Sequence, residues 1–205
     1  MNYQLAYKLG FHPWEDAADH PPFVETLSAL LAREEQSQEA PFGRALDLGT
    51  GSAVWAVELA QRGWQVTGVD NVDRALARGR ERVSDAGVDV RLVHGDVTDL
   101  EATYIGSGYD LLLDTGTFHG LSSAERTAMG RAVTAVAAPQ ATLLLLVWPR
   151  RRRPLILGAD RDHVQAAFPD WTITDVVPSH FELPAILEPI LRPDEHWYRL
   201  RRNEE

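Results

Sequence analysis

Asp47-Leu48-Gly49-Thr50-Gly51-Ser52 follows a strand-like run from Arg44 and opens a helix-like one. Two glycines in a strand-to-helix turn let the backbone come close to a ligand, because neither carries a Cβ. A carboxylate, Asp70, ends the next strand, where it can accept hydrogen bonds from a ribose diol. Outward from this turn, strand-like and helix-like segments alternate, the pattern of a parallel sheet with crossover helices. Strands are predicted at Arg44–Leu48, Gln65–Val69, Val88–Val93, Tyr109–Leu113, Ala141–Val147, Trp171–Val177 and His196–Arg201. Helices are predicted at Ser52–Arg62, with Ser52 as N-cap, at about Arg74–Ala86, capped by Asn71 or Asp73, at Ser123–Ala137 and at Asp160–Phe168. Val88, Val90 and Leu92 alternate with Asp89 and Arg91, as in a half-exposed edge strand, whereas Leu111-Leu112-Leu113 reads as a central one.

The 205 residues suffice for one α/β domain. Twenty basic against thirty acidic residues give a net charge of −10, which disfavours nucleic acid and anionic membranes as partners. With no cysteine, disulfides, thiolate metal sites and a cysteine nucleophile are excluded, and no metal site is expected. The first ten residues lack the apolar core of a signal peptide, and the longest apolar run, Ala141–Trp148, is far short of a membrane span. A cytoplasmic protein, monomer or homodimer, is the expectation. Residues 43–205 are expected to form the domain proper. The head, 1–42, with a helix at Pro22–Glu35, is expected either to cap the ligand edge of the sheet or to pack along its side.

Four predicted strand ends carry acids: Asp47, Asp70, Asp96 and Asp114. A dinucleotide fingerprint would need a third glycine where Val54 stands, and a carboxylate at Asp47 would repel a pyrophosphate. The crevice suits a cationic nucleoside. Here the chain resembles the class I S-adenosylmethionine-dependent methyltransferases. Asp47–Ser52 is similar to their first motif, Val69-Asp70 to the ribose-binding strand end, Gly95-Asp96-Val97 to the adenine-contacting segment, and Asp110–Thr117 to the fourth motif. The resemblance implies a Rossmann-like, doubly wound, seven-stranded α/β sheet, mostly parallel with an antiparallel last strand. It also implies S-adenosyl-L-methionine as cofactor, with S-adenosyl-L-homocysteine as product. Cofactor contacts are expected from Asp47, Gly49, Thr50, Gly51, Asp70, Asn71, Asp96, Val97 and Asp114. Ala53 departs from the glycine common in the family, a change a helix start tolerates.

The segment Asp114–Gly120 leaves the fourth strand beside the expected methyl position. Asp114 is expected near the methionine part of the cofactor, and His119 is the candidate proton acceptor, since an imidazole of ordinary pKa ~6.5 suits that role. His12-Pro13-Trp14 is similar to an early pair in small bacterial thiopurine and thiol methyltransferases, which implies that Trp14 covers the cofactor. The acceptor expected is a small, largely apolar molecule, methylated at sulfur, oxygen or nitrogen. Phe11, Trp14, Phe118, Trp148 and the stretch Phe181–Ile190 are the candidate walls. Arg150–Arg153 either recognises an anion or is a solvated run. Two other readings stay open: an NAD(P)-dependent oxidoreductase, and a non-catalytic S-adenosylmethionine-binding protein.

Overall fold

The computed structural model describes residues 19–36, 39–149, 157–180 and 194–204. In chain order the elements are α1 (Pro21–Glu35), β1 (Arg44–Leu48), α2 (Val54–Arg62), β2 (Gln65–Asp70), α3 (Asp73–Ala86), β3 (Val90–His94), β4 (Tyr109–Asp114), α4 (Ser123–Val136), β5 (Ala137–Val147), α5 (Arg161–Ala167), β6 (Trp171–Pro178) and β7 (His196–Arg202), with single 3-10 turns at Glu101–Thr103 and Phe118–Gly120. The seven strands form one sheet in the order β3-β2-β1-β4-β5-β7-β6. All pairings are parallel except those of β7 with β5 and β6. This is the doubly wound architecture that the sequence implies, with β3 at one edge. The chain runs outward from β1 to β3 and then returns to pair β4 with β1. The strand order therefore reverses between β1 and β4, and the crevice beyond their carboxyl ends is where such sheets bind ligands.

Alternation along the central strands divides the core between the two faces. Leu143, Leu145 and Leu112 pack with Met129, Val133, Val164 and Phe168 on the α4–α5 face. Leu144, Leu146, Leu111 and Leu113 pack with Phe23, Leu27, Leu30 and Leu31 of α1 and with Trp55 and Leu59 of α2 on the other. The helix of the head is thus an ordinary layer of the domain. Its end is fixed by charge as well: Glu34 accepts from Arg199 at 2.7 Å and from the Thr142 hydroxyl at 2.6 Å. Glu35 accepts from Arg62 at 2.6 Å and from the Trp64 indole at 3.1 Å. The part of the head up to residue 18 lies outside the described residues, and with it Phe11 and Trp14.

Most helix ends follow their local signals. Pro21 and Pro22 start α1, where a missing N–H costs nothing. Gly63 and Gly87 stop α2 and α3 in the left-handed conformation. Ser122 and Glu125 cap α4 reciprocally. The expected caps of α2 and α3 are corrected. Ser52 caps nothing; its hydroxyl accepts from Arg82 at 2.9 Å, and the N-cap of α2 is Ala53 at φ 60°, ψ 29°. Neither Asn71 nor Asp73 caps α3: its N-cap is Val72, whose carbonyl accepts from the Ala75 and Leu76 N–H groups and whose side chain offers no acceptor.

Ala53 is a fully buried alanine in left-handed backbone, where a Cβ is penalised by about 1–2 kcal/mol. A helix start does not by itself accommodate it. The Ala53 methyl packs against α3 at Gly79, where an added Cβ would lie 3.2 Å away. Ala53→Gly removes the strain and adds unfolded-state freedom of about 0.5–1 kcal/mol. We expect Ala53→Gly to leave Tm unchanged or raise it by about 1–2 °C, and Ala56→Gly, inside α2, to lower it by about 2–4 °C. Equal losses at both positions in a thermal melt would contradict the strain at Ala53.

Candidate active site

At the reversal of strand order, Asp47 sits one residue before the end of β1, and Asp114 ends β4. Asp47 is 1% exposed. Its Oδ2 accepts the Thr50 hydroxyl at 2.6 Å. Its Oδ1 is buried and has no hydrogen-bond partner of proper geometry among the described residues, the Ala56 amide exerting only a minor pull. Burial, and secondarily the negative charges of Asp114 and Asp70, push this carboxyl up to about 7. A buried carboxylate oxygen left unsatisfied is costly, and a cationic donor beside it would offset that cost.

The turn after it offers few N–H groups. Gly49 and Thr50 both donate to the Val69 carbonyl, at 2.8 and 2.9 Å. Gly51 donates to Asp70 Oδ2 at 2.8 Å, and Ala53 to the Thr50 carbonyl. A pyrophosphate would need these donors free, and it would meet a carboxylate instead. S-adenosylmethionine, with an ammonium, a sulfonium and a ribose but no phosphate, fits this donor set. Gly49 has φ +68°, and a Cβ there would lie 2.0 Å from Thr117 Oγ1, whose hydroxyl donates to the Leu48 carbonyl at 3.3 Å. The β1 turn and the β4 loop therefore close against each other only because Gly49 lacks a side chain.

Asp70 ends β2 and bridges to the turn through its bonds to Gly51 and Val72; burial raises its carboxyl above the usual range. Farther along the same edge, Asn71 is exposed. Asp96 is exposed and folds its own loop, accepting from the Thr98 N–H and hydroxyl at 2.8 Å each, while Val97 is buried in the core. Asp114 is fully buried, and both its oxygens are engaged by the loop it starts: Oδ1 accepts from Gly116 and Thr117 at 2.7 Å, and Oδ2 from Phe118 at 2.9 Å. Burial nevertheless pushes it up to about 6. Its evident work is to shape the Thr115–Gly120 loop.

His119 lies on that loop, 6% exposed. Its ring stacks on Trp148 at the end of β5, with centroids 5.6 Å apart and planes at 29°. Nδ1 faces the Leu146 carbonyl at 3.5 Å, which favours the tautomer protonated on Nδ1 and leaves Nε2 as an acceptor. Burial lowers this imidazole to about 4, with the nearby Arg126 cation acting in the same direction, so it is neutral at physiological pH. Phe118, expected as a pocket wall, is instead fully buried, packed 5.7 Å from Phe168. Arg150–Arg153, Trp14 and Phe181–Ile190 lie outside the described residues.

Of the expected site residues, the structure brings Asp47, Gly49, Thr50, Gly51 and Asp70 into one hydrogen-bonded turn. Asp114 and His119 lie across the crevice, and Asn71, Asp96 and Val97 on the β2–β3 side. Sequence reasoning missed Thr117 and Arg82. Thr117 stands inside the segment singled out after β4. Arg82, which donates to both the carbonyl and the hydroxyl of Ser52, reads in sequence as one more arginine on a polar helix.

Known proteins resemble this chain in sequence and in fold. Residues 45–140 match the family described as "Methyltransferase domain". The 2-heptyl-1-hydroxyquinolin-4(1H)-one methyltransferase of Mycobacteroides abscessus is 23% identical over 176 residues, which span 82% of this chain and 71% of that protein. Among solved structures, the N-methyltransferase NodS of Bradyrhizobium japonicum in complex with S-adenosyl-l-homocysteine superposes with a TM-score of 0.73 at 17% identity, over 94% of this chain and 92% of NodS. A structure from work on the conversion of a disulfide bond into a thioacetal group during echinomycin biosynthesis gives 0.72 at 24% identity, over 97% and 90%. The fold is that of the class I methyltransferases. Residues 45–140 thus carry the match to a methyltransferase domain, on the fold that the S-adenosyl-l-homocysteine complex of NodS shares. Among the described residues no helix is long and apolar enough to cross a membrane.

Proposed function

We propose that this protein transfers a methyl group from S-adenosylmethionine to a sulfur, oxygen or nitrogen atom of a small, largely apolar molecule. The observation that carries the reading is the buried Asp47 Oδ1, unsatisfied among the described residues, beside a turn whose Gly49, Thr50 and Gly51 N–H groups are already engaged. In this reading Asp47 pairs with the ammonium of the methionine part. Asp70 accepts from the ribose diol while holding the Gly51 turn, and Asn71, Asp96 and Val97 border the adenine. When bound, the cofactor supplies an electrophilic methyl group. The chain's own contribution is alignment and exclusion of water, worth up to about 7–11 kcal/mol in well-aligned cases. His119 supplies a neutral acceptor at Nε2 for the hydrogen of the incoming thiol, hydroxyl or amine. Trp148, stacked on His119, offers an apolar wall on the acceptor side. A small-molecule acceptor is supported by the quinolone substrate in the name of the Mycobacteroides relative.

The deciding experiment is calorimetry with S-adenosylhomocysteine and with NADH, followed by mass analysis of products. Its acceptor panel holds thiols, phenols and amines together with 2-heptyl-1-hydroxyquinolin-4(1H)-one. Binding of the homocysteine product and methylation of at least one acceptor are expected. NADH binding in its place would restore the oxidoreductase reading. Tight cofactor binding with no methylated product would leave a non-catalytic binding protein. Asp70→Asn keeps an oxygen for the turn but loses the charge assisting the ribose bonds. We expect S-adenosylhomocysteine to bind it about 10-fold more weakly. Unchanged affinity in the same titration would move the ribose elsewhere.

A further inference from the structure

The loop after β4 and the segment that follows β5 are joined by one buried side chain. Arg126, on the first turn of α4, is 4% exposed. Its Nε donates to the Phe118 carbonyl at 3.1 Å. Its Nη2 donates to the His119 carbonyl at 3.1 Å and to the Gly158 carbonyl at 2.7 Å. The guanidinium also lies over the Phe118 ring, 5.2 Å from its centroid. The two segments are stitched to each other around it. Gly158 donates to the His119 carbonyl at 3.0 Å, and Ala159 to the Trp148 carbonyl at 2.8 Å. The stacked His119–Trp148 pair is thus held from both of its backbones, and Arg126 spans the join.

An arginine suits this task because its planar fork reaches carbonyls on separate loops in fixed directions, which an ammonium on a flexible stem does not. The capping box of Ser122 and Glu125 fixes the helix end from which it reaches. The three carbonyls it reaches lie on the β4 loop and on the segment after β5, on the acceptor side of the crevice.

We infer that Arg126 is a positioning residue for the methyl acceptor: by bridging Phe118, His119 and Gly158 it sets the His119–Trp148 pair against which the acceptor docks. The inference rests on the methyltransferase reading above and adds a division of labour to it. It requires that damage to the brace appear in the Michaelis constant of the acceptor and not in the binding of the cofactor product.

The test is Arg126→Lys, which keeps the charge and loses the fork, beside Gly158→Ala, which disturbs the same join from its other end because Gly158 has φ +69°. The acceptor is whichever compound of the panel the wild-type protein methylates. Each variant is expected to raise the acceptor Michaelis constant about tenfold or more while S-adenosylhomocysteine binds within twofold of wild type. The double variant is expected to be no worse than the poorer single one. Hydrogen exchange supplies a readout that does not need turnover. The Gly158 and Ala159 amides should lose protection in Arg126→Lys, and the Gly49 and Thr50 amides should keep it. Additive effects, an unchanged Michaelis constant, or equal weakening of acceptor and cofactor product would overturn the inference. If Arg126→Lys does not fold, Gly158→Ala alone decides. A wild-type protein that neither binds S-adenosylhomocysteine nor methylates any acceptor overturns the underlying reading instead.

Discussion

Asp47→Asn is expected to weaken S-adenosylhomocysteine binding about 100-fold at pH 8 and, in the same protein preparation, to raise the Tm of the ligand-free form. The two effects share one cause. The Asp47 carboxylate is buried, with one oxygen lacking a partner among the described residues, and burial pushes its pKa up to about 7. Because the folded-state pKa lies above the unfolded one, the folded protein binds this proton more tightly. The contribution of Asp47 to stability is therefore fully present below about pH 4 and is lost as pH rises toward 7. Asparagine does not titrate, so the stability difference between variant and wild type should grow across that window and level off above it, at roughly 2–4 kcal/mol. Comparing the two proteins isolates Asp47 from His119, whose lowered pKa acts in the opposite sense, and from Asp114, which acts in the same one.

A cationic ligand reverses the balance. It selects the ionised carboxylate, so wild-type affinity should climb as pH rises through about 7, and that climb should vanish in Asp47→Asn. A charge-assisted hydrogen bond of up to about 3 kcal/mol accounts for the 100-fold loss. Calorimetric titrations at pH 6, 7 and 8, with thermal melts of the free proteins at the same pH values, read both effects. An affinity independent of pH and of this substitution would show that no cation is held at Asp47.

The chemistry that could be read from the sequence is the chemistry carried by backbone geometry. A glycine-containing turn between an apolar strand and a helix, followed by acids at successive strand ends, marks the ligand edge of the sheet; the order β3-β2-β1-β4-β5-β7-β6, which puts the reversal between β1 and β4, comes from the structure. What escaped were features set by tertiary contact. Ser52 has the side chain of an N-cap, but the turn passes through left-handed backbone at Ala53, and Arg82 claims the hydroxyl. Arg126 looks in sequence like a surface residue of an amphipathic helix; its role depends on Gly158, thirty-two residues away, arriving at the same point. Asp114 was recognisable as a strand-end acid, yet only the structure reveals that the loop it begins engages both its oxygens. Of Asp47, Asp70 and Asp114, Asp47 is the one with an oxygen that has no hydrogen bond among the described residues. The third strand was placed two residues early, because Val88 and Asp89 continue its alternation although pairing with β2 begins only at Val90.

His119→Asn is expected to lower kcat about 100-fold while the Kd for S-adenosylhomocysteine stays within twofold of wild type. The separation follows from position: His119 sits between the β4 loop and the end of β5, and its Nδ1 edge and stacking partner belong to Leu146 and Trp148, not to the cofactor turn. The size is at the low end of what proton acceptors contribute, about 10²–10⁴-fold, because an imidazole held near pKa 4 is a weak base that orients and relieves the donor hydrogen without retaining it. The same lowering fixes the pH behaviour. His119 is already neutral from about pH 5 upward, so the kcat profile of the wild type should show no ascending limb near 6.5. Any rise in kcat between pH 6 and 9 should instead follow ionisation of the acceptor's own thiol, hydroxyl or amine, with Asp47 showing only in kcat/KM. A limb at 6.5 that disappears in His119→Asn would show a hydrated, ordinary imidazole in place of the buried one. A variant with near-normal kcat would remove His119 from the chemistry and leave alignment alone to account for the rate.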